Sequence, residues 1–295
     1  MLRRMCISLA ALAIAAAPAL TVLASMTSSA DASMASTAAS TATTLTHHSG
    51  QVLAVKHGFI HGNIHNGGTA VHLVEPGTAG AHSGTLKLNA TATSTNWSGY
   101  AATGSTYTSV SASWVQPTGS CTSATRYSSF WVGLDGYNSN SVEQDGTDTD
   151  CSGGRPVYYG WYEMYPNPSF SFGNTVKAGD TMSASVTYTA TNTYKLVLSD
   201  ATQGWSVSTT QTLSGAPRSS AEVIIEAPCC TNSGGILPLA DFGTVHLSNS
   251  VVNGSAIGTF SPVGITMVNS RGQDKDTITA LTSNENFSAT WVRAS

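Results

Sequence analysis

From Thr95 onward the chain is written in short runs of alternating apolar and polar residues, separated by Gly, Asn, Asp and Pro. Ser109–Val115, Thr181–Tyr188, Tyr194–Leu198, Trp205–Thr212, Ala221–Glu226, Gly243–Leu247 and Ala289–Arg293 are such runs. Period-2 alternation with enrichment in Val, Thr and Tyr predicts strands with one buried face. No segment shows an apolar stripe at helical spacing. The spacing of turn residues predicts an all-β sandwich, and about 200 residues suffice for one two-sheet core.

The first 94 residues differ in texture. Arg3 and Arg4 precede an apolar run from Cys6 to Ala24, and Ser/Ala-rich sequence follows. This predicts a secretory signal peptide over residues 1–32, with Ala30-Asp31-Ala32 as the cleavage site. The run is barely long enough to span a membrane and Pro18 interrupts it, so a soluble, secreted, extracellular product is expected. Residues 33–46 are Ser/Thr/Ala low-complexity sequence. Residues 47–90 hold seven of the eight histidines: His47, His48, His57, His61, His65, His72 and His82. Together, residues 33–94 read as a propeptide whose charge switches as histidine titrates, and residues 95–295 as the β domain. No metal and no cofactor is expected.

Beyond residue 90 there are eight Lys/Arg against fourteen Asp/Glu. A net −6 lacks the basic patch that a nucleic-acid partner requires. Beyond the signal peptide four cysteines remain, Cys121, Cys151, Cys229 and Cys230. An even count in an exported chain predicts two disulfides, with three connectivities open. Cys121 with Cys151 is the natural pair, which leaves Cys229 and Cys230 as a vicinal bridge.

Candidate chemistry concentrates in a few clusters. In Ala221-Glu222-Val223-Ile224-Ile225-Glu226 two carboxylates share one strand face with Ile224 between them. Carboxylates in such apolar surroundings are either solvated edge residues or acid/base groups with shifted pKa. Asn96-Trp97-Ser98-Gly99-Tyr100, Trp131-Val132-Gly133-Leu134-Asp135-Gly136, Glu143-Gln144-Asp145-Gly146, Trp161-Tyr162-Glu163-Met164-Tyr165-Pro166 and Leu239-Ala240-Asp241-Phe242-Gly243 complete the set.

These six motifs, taken in chain order over residues 95–292, resemble the glutamic peptidases, or eqolisins. The resemblance implies a β-sandwich of two curved antiparallel sheets and an acid-active endopeptidase. It implies a catalytic pair of Gln144 and Glu226, and places Trp97, Trp131, Asp135 and Glu163 at the substrate cleft. Three features depart from the family pattern: an acid, Glu143, precedes Gln144; Tyr159-Gly160 stands where fungal members often carry an acid; and the vicinal Cys229-Cys230 follow Glu226.

The chemistry is coherent with that pair. A glutamate carboxylate deprotonates a bound water and returns the proton to the leaving amine, while a glutamine amide stabilises the oxyanion without titrating. The β domain contains a single histidine, His246, and neither a Gly-x-Ser-x-Gly elbow nor an Asp-Thr/Ser-Gly pair. Expected partners are polypeptide substrates and the chain's own propeptide, on a monomer. The alternatives are a secreted glycoside hydrolase using paired carboxylates, or a carbohydrate-binding module using the same aromatic residues.

Overall fold

A computed structural model describes residues 90–229 and 235–295. The signal peptide, nearly all of the propeptide segment and Cys230 lie outside the described residues. No helix among the described residues is long and apolar enough to cross a membrane.

Among the described residues, sixteen strands form two sheets. The first runs, in spatial order, β1 (Thr91–Ser94), β14 (Val263–Met267), β2 (Trp97–Thr103), β11 (Ser220–Glu226), β4 (Ser129–Leu134), β5 (Val142–Ser152), β6 (Arg155–Tyr165) and β7 (Phe170–Ser171). The second runs β10 (Trp205–Thr212), β9 (Thr193–Asp200), β8 (Thr181–Ala190), β3 (Ser109–Val115), β12 (Thr244–Val252), β16 (Phe287–Trp291) and β15 (Asp276–Ile278). The short β13 (Ser255–Ala256) pairs with β12 and leads into a 3-10 turn, Ile257–Phe260. The sandwich expected from the sequence is present. One ladder departs from the antiparallel expectation: β1 runs parallel to β14.

The alternating runs expected as strands are found, with small shifts at their ends. Sequence alternation missed β2, β4, β5, β6 and β14, and for β4 and β5 the physical reason lies in their burial. Every residue of β4 is buried, as are the first ten of β5. Phe130, Val132 and Leu134 of β4 and Ala221, Val223 and Ile225 of β11 turn inward. There they meet Ala112 and Trp114 of β3, Met182, Ala184 and Val186 of β8, and Leu196 and Leu198 of β9. The opposite face carries a second apolar cluster of Trp97, Trp131, Val142, Trp161, Ile224 and Ile265. A strand buried on both faces shows no polar alternation.

The outer face of the second sheet does alternate, and its exposed side is largely hydroxyl. Ser111, Ser185, Val197 and Ser208 form one cross-strand row, and Ser113, Ser183, Ser199 and Ser206 the next. A disulfide between Cys121 and Cys151, as expected, ties the segment before β4 to the end of β5. Cys229 is also disulfide-bonded.

The interior is unusual in holding carboxyl groups. Glu143 is paired across the sheet with Leu134 and Met164, both core residues, so its side chain points between the sheets. Asp145 follows with the same parity. Neither oxygen of Glu143 or of Glu222 has a hydrogen-bond partner. Burial, with Asp135 adding repulsion, pushes Glu143 up to about 9, and burial likewise pushes Glu222 well above the usual carboxylate range. A carboxyl whose folded pKa is raised contributes its full stability below the unfolded value. That stability drains away as pH climbs from there toward the folded value. The fold should therefore be most stable in acid and weaken steadily between roughly pH 4.5 and 9. Glu143→Gln should leave the melting temperature at pH 4 within about 2 °C of wild type but raise it at pH 7 by roughly 5 °C. Equal shifts at the two pH values, by calorimetry, would contradict this account.

Candidate active site

The register of the first sheet arranges three rows of side chains on its outer face, since residues paired across strands share a face. The first row is Ala101, Glu222, Gly133, Gln144 and Glu163 on β2, β11, β4, β5 and β6. The second is Gly99, Ile224, Trp131, Gly146 and Trp161. The third is Trp97, Glu226, Ser129, Asp148 and Tyr159. Gln144 and Glu226 thus lie on one face, diagonally across β4, with Trp131 between their rows.

Glycine makes room for that indole. A Cβ at Gly133 would stand 2.9 Å from Trp131 Cζ3, and one at Gly146 would collide with the Phe130 carbonyl oxygen and lie 2.6 Å from Trp131 Cβ. These are the glycines of the Trp-Val-Gly and Glu-Gln-Asp-Gly motifs. Trp97 packs edge-on against Trp131, with ring centroids 4.9 Å apart.

Glu226 is fully buried and held by neutral donors. Trp131 Nε1 donates to Oε2 at 2.9 Å and Asn96 Nδ2 to Oε1 at 3.3 Å. The Ser94 hydroxyl donates to Asn96 Oδ1 at 2.8 Å, which turns the amide nitrogen toward the carboxylate. The Trp97 indole N–H also faces Glu226 but lies outside hydrogen-bonding geometry. Burial raises the Glu226 pKa well above the ordinary value; Trp131 and Asn96 favour the anion, and Asp148 opposes it. Gln144 Nε2 donates to Glu163 Oε2 at 2.9 Å, which fixes the orientation of its amide.

Asp135 stands apart from this group. Its oxygens accept the backbone N–H groups of Arg218 and Ser219, each at 2.7 Å, and the Ser219 hydroxyl at 3.1 Å. It anchors the chain entering β11. Glu222 shares the outer face with Glu226 and lies near Asp135 and Glu143.

Sequence reasoning did not single out Asn96, although it stands in the Asn-Trp motif, nor Asp148 and Asp150, and it noted Tyr159 only as a departure from the family pattern. The signal for Asp148 and Asp150 was present: counted from Gln144 with period 2, both fall on its face. Tyr159 Oη lies 2.8 Å from Asp148 Oδ2 and 2.9 Å from Asp150 Oδ2, and Trp161 Nε1 donates to Asp148 Oδ1 at 2.6 Å. One phenol hydrogen is shared between those two contacts. Burial pushes Asp148 up to about 7 and Asp150 well above the usual range. The described residues contain no group of three or more His, Cys, Asp or Glu side chains placed to hold a metal ion.

A two-sheet β-sandwich thus carries a buried carboxylate and a carboxamide on one face. A model of the Peptidase A4 family matches residues 95–291, and the chain belongs to that family. It is 34% identical over 156 residues to scytalidopepsin B of Scytalidium lignicola. That match takes in 50% of this chain and spans 58% of the relative's length. Among solved structures, scytalido-glutamic peptidase with a transition state analog inhibitor superposes with a TM-score of 0.60 at 28% identity, covering 67% of this chain and 98% of that one. SCP-B, a member of the eqolisin family in complex with the tripeptide Ala-Ile-His, gives 0.56 at 25% identity over the same shares of the two chains.

Trp131→Phe keeps the ring but removes the N–H on Glu226. The Glu226 pKa should then rise by about one unit, the size of one lost charge-assisted hydrogen bond. A carboxyl 13C NMR titration of the variant checks this; an unchanged or lowered value would show that the indole N–H does not hold the anion.

Proposed function

We propose that the chain is an endopeptidase that hydrolyses peptide bonds with water activated by Glu226. Family membership supports it, and the observation that carries it is the placement of Glu226 and Gln144 on one sheet face. Neutral N–H donors hold Glu226 there. The only histidine among the described residues, His246, lies on β12 of the other sheet, bonded to Ser288. A polypeptide laid over Trp131 has the carboxylate to one side and the amide to the other.

In this reading Glu226, as the carboxylate, takes a proton from a water whose oxygen bonds to the scissile carbonyl carbon. The resulting oxyanion accepts from Gln144 Nε2, which carries two hydrogens, one of them engaged by Glu163. Glu226 then returns the proton to the amine nitrogen as the C–N bond breaks. Trp97, Trp131 and Glu163 shape the bed beneath the substrate, and Asp135 contributes by holding the loop at its edge. Admission of the reacting water solvates Glu226 and lets it ionise at lower pH than in the closed, dry site. Activity therefore rises with pH as Glu226 ionises and falls again as the buried core carboxyls ionise and the fold loosens.

The sequence supports export under a signal peptide over residues 1–32 and a propeptide after it; the cut that releases a monomeric domain falls before β1 and not at residue 94, because Thr91–Ser94 pairs with β14 and Ser94 orients Asn96. The glycoside hydrolase and carbohydrate-binding alternatives draw no support from the family match.

Glu226→Gln should reduce cleavage of a denatured protein at least ~10³-fold, and Gln144→Ala by about 10²–10³-fold, the range for a lost base or oxyanion donor. Both variants should melt close to wild type. Glu222→Gln should keep wild-type turnover. Serine and cysteine reagents, EDTA and a statine-type inhibitor should leave the wild type active, and no reducing sugar should appear from a polysaccharide panel. Near-normal turnover by purified Glu226→Gln protein would sink the assignment.

A further inference from the structure

If Glu226 is the base, its charge has to be balanced. A fully buried carboxylate that accepts from the neutral donors Trp131 and Asn96 is costly to ionise. A buried cation stands on the other side. Lys275 immediately precedes β15 and is 3% exposed. Its backbone is fixed at both groups: its N–H donates to the Met267 carbonyl at 2.7 Å, and its carbonyl accepts Val292 and Arg293 N–H at 2.9 and 3.0 Å. Its Nζ donates to the Thr95 carbonyl at 3.3 Å. The next residue, Asp276, accepts a short hydrogen bond from the Ser98 hydroxyl.

Lys275 and Asp276 therefore grip both ends of the segment 95–98. Within that segment lie Asn96, which donates to Glu226, and Trp97, which faces it. The Asn96 carbonyl in turn accepts the Ala227 N–H at 2.8 Å, so the gripped segment is joined to the residue after Glu226. The same lysine that positions this segment carries an ammonium that interacts electrostatically with the base.

We propose that Lys275 is a positioning residue of the peptidase site: its buried ammonium is the counter-charge that lets Glu226 ionise in acid, and its Nζ contact holds the segment bearing Asn96. This role rests on the assignment of Glu226 as the base. Burial lowers the Lys275 pKa to about 8, with Asp276 and Glu226 both favouring the ammonium. Below that value it stays charged, throughout the acid range. The groups facing this pair are few. Asp276 and, beyond it, Asp274 flank the lysine on its own segment, and Asp276 is itself pushed up to about 7 by burial. Arg293 of the chain after β16 meets the lysine carbonyl through its backbone N–H. Around Glu226 stand Trp131 of β4, Asn96 and Trp97 at the start of β2, and Asp148 of β5. Asp148 and Lys275 act on the base with opposite sign, and only Lys275 holds its charge well below pH 7.

The test uses the mature active protein and reads the acid limb of kcat/KM against pH. The midpoint of that limb does not depend on how much of the preparation is folded. Lys275→Met removes the charge and the donor. Lys275→Gln removes the charge and keeps an N–H for Thr95. Lys275→Arg keeps both. The midpoint should move about one pH unit upward in the Met and Gln variants, from the Coulombic interaction of a near pair at a protein dielectric. The rate at a fixed pH below the limb should accordingly fall about tenfold, and the Arg variant should restore the wild-type midpoint. An unmoved midpoint in Lys275→Gln, or an equal shift in Lys275→Arg, would overturn the proposal. Glu226→Gln, assayed alongside, separates the two levels. If that variant is active, the base assignment fails; if it is inactive while the limb of Lys275→Gln stays put, only the role of Lys275 fails.

Discussion

The indole of Trp131 occupies the centre of the outer face of the first sheet, and the surrounding residues are chosen to let it lie there. Glycines on its own strand and on β5 leave the space its ring requires. Trp97 meets its edge, and its N–H reaches Glu226. A Cβ at position 146 would collide with the Phe130 carbonyl and with the root of the Trp131 side chain. The aromatic plate, the donor to the carboxylate and the gap between the two polar rows are thus one constraint, met by two glycines and two tryptophans. This is why the motifs read Trp-Val-Gly and Glu-Gln-Asp-Gly: each supplies a ring or the space for one.

The second sheet was legible because one of its faces is solvated. Ser109–Val115 alternates serine with buried Val110, Ala112 and Trp114, and the strand follows directly. The site sheet was not legible by the same rule, because β4 and β5 are buried on both sides. The strand β5 reads as a turn-like acidic stretch, with Glu143, Asp145, Asp148 and Asp150 in eleven residues. Its strand character comes from pairing with β4 and β6, which no local pattern encodes. The candidate pair itself was reached through ordered motifs and lands on one face. Asn96 lay inside a recognised motif without its role being evident, because its partner is 130 residues away. Lys275 gave no signal at all. A lone lysine near the end of a chain reads as surface, and only the register of β14 against β2 and the turn before β15 bring it to the base.

Burying acids on both faces of one sheet couples the site to the core. Glu143 and Asp145 point inward and Gln144 points outward from consecutive positions of β5. The acid beside the glutamine, a departure from the family pattern, is therefore not an alteration of the site but a feature of the layer beneath it. Any change in the charge of that layer acts on the strand that presents the amide. The Tyr159 phenol, shared by Asp148 and Asp150, extends the same logic to the far end of β5, where burial raises the pKa of both carboxyls.

The serine rows on the outer face of the second sheet have a consequence for the protein as a solute. Molecules that present lysines and carboxylates stay apart by mutual repulsion, which added salt screens and which vanishes near the isoelectric point. The two serine rows carry no charge to screen, and their hydroxyls bind water equally at every pH. Collisions on that side meet a hydration layer instead of a field. Dispersion in a brine or in a medium of drifting acidity would then be governed by the same hydroxyl face throughout.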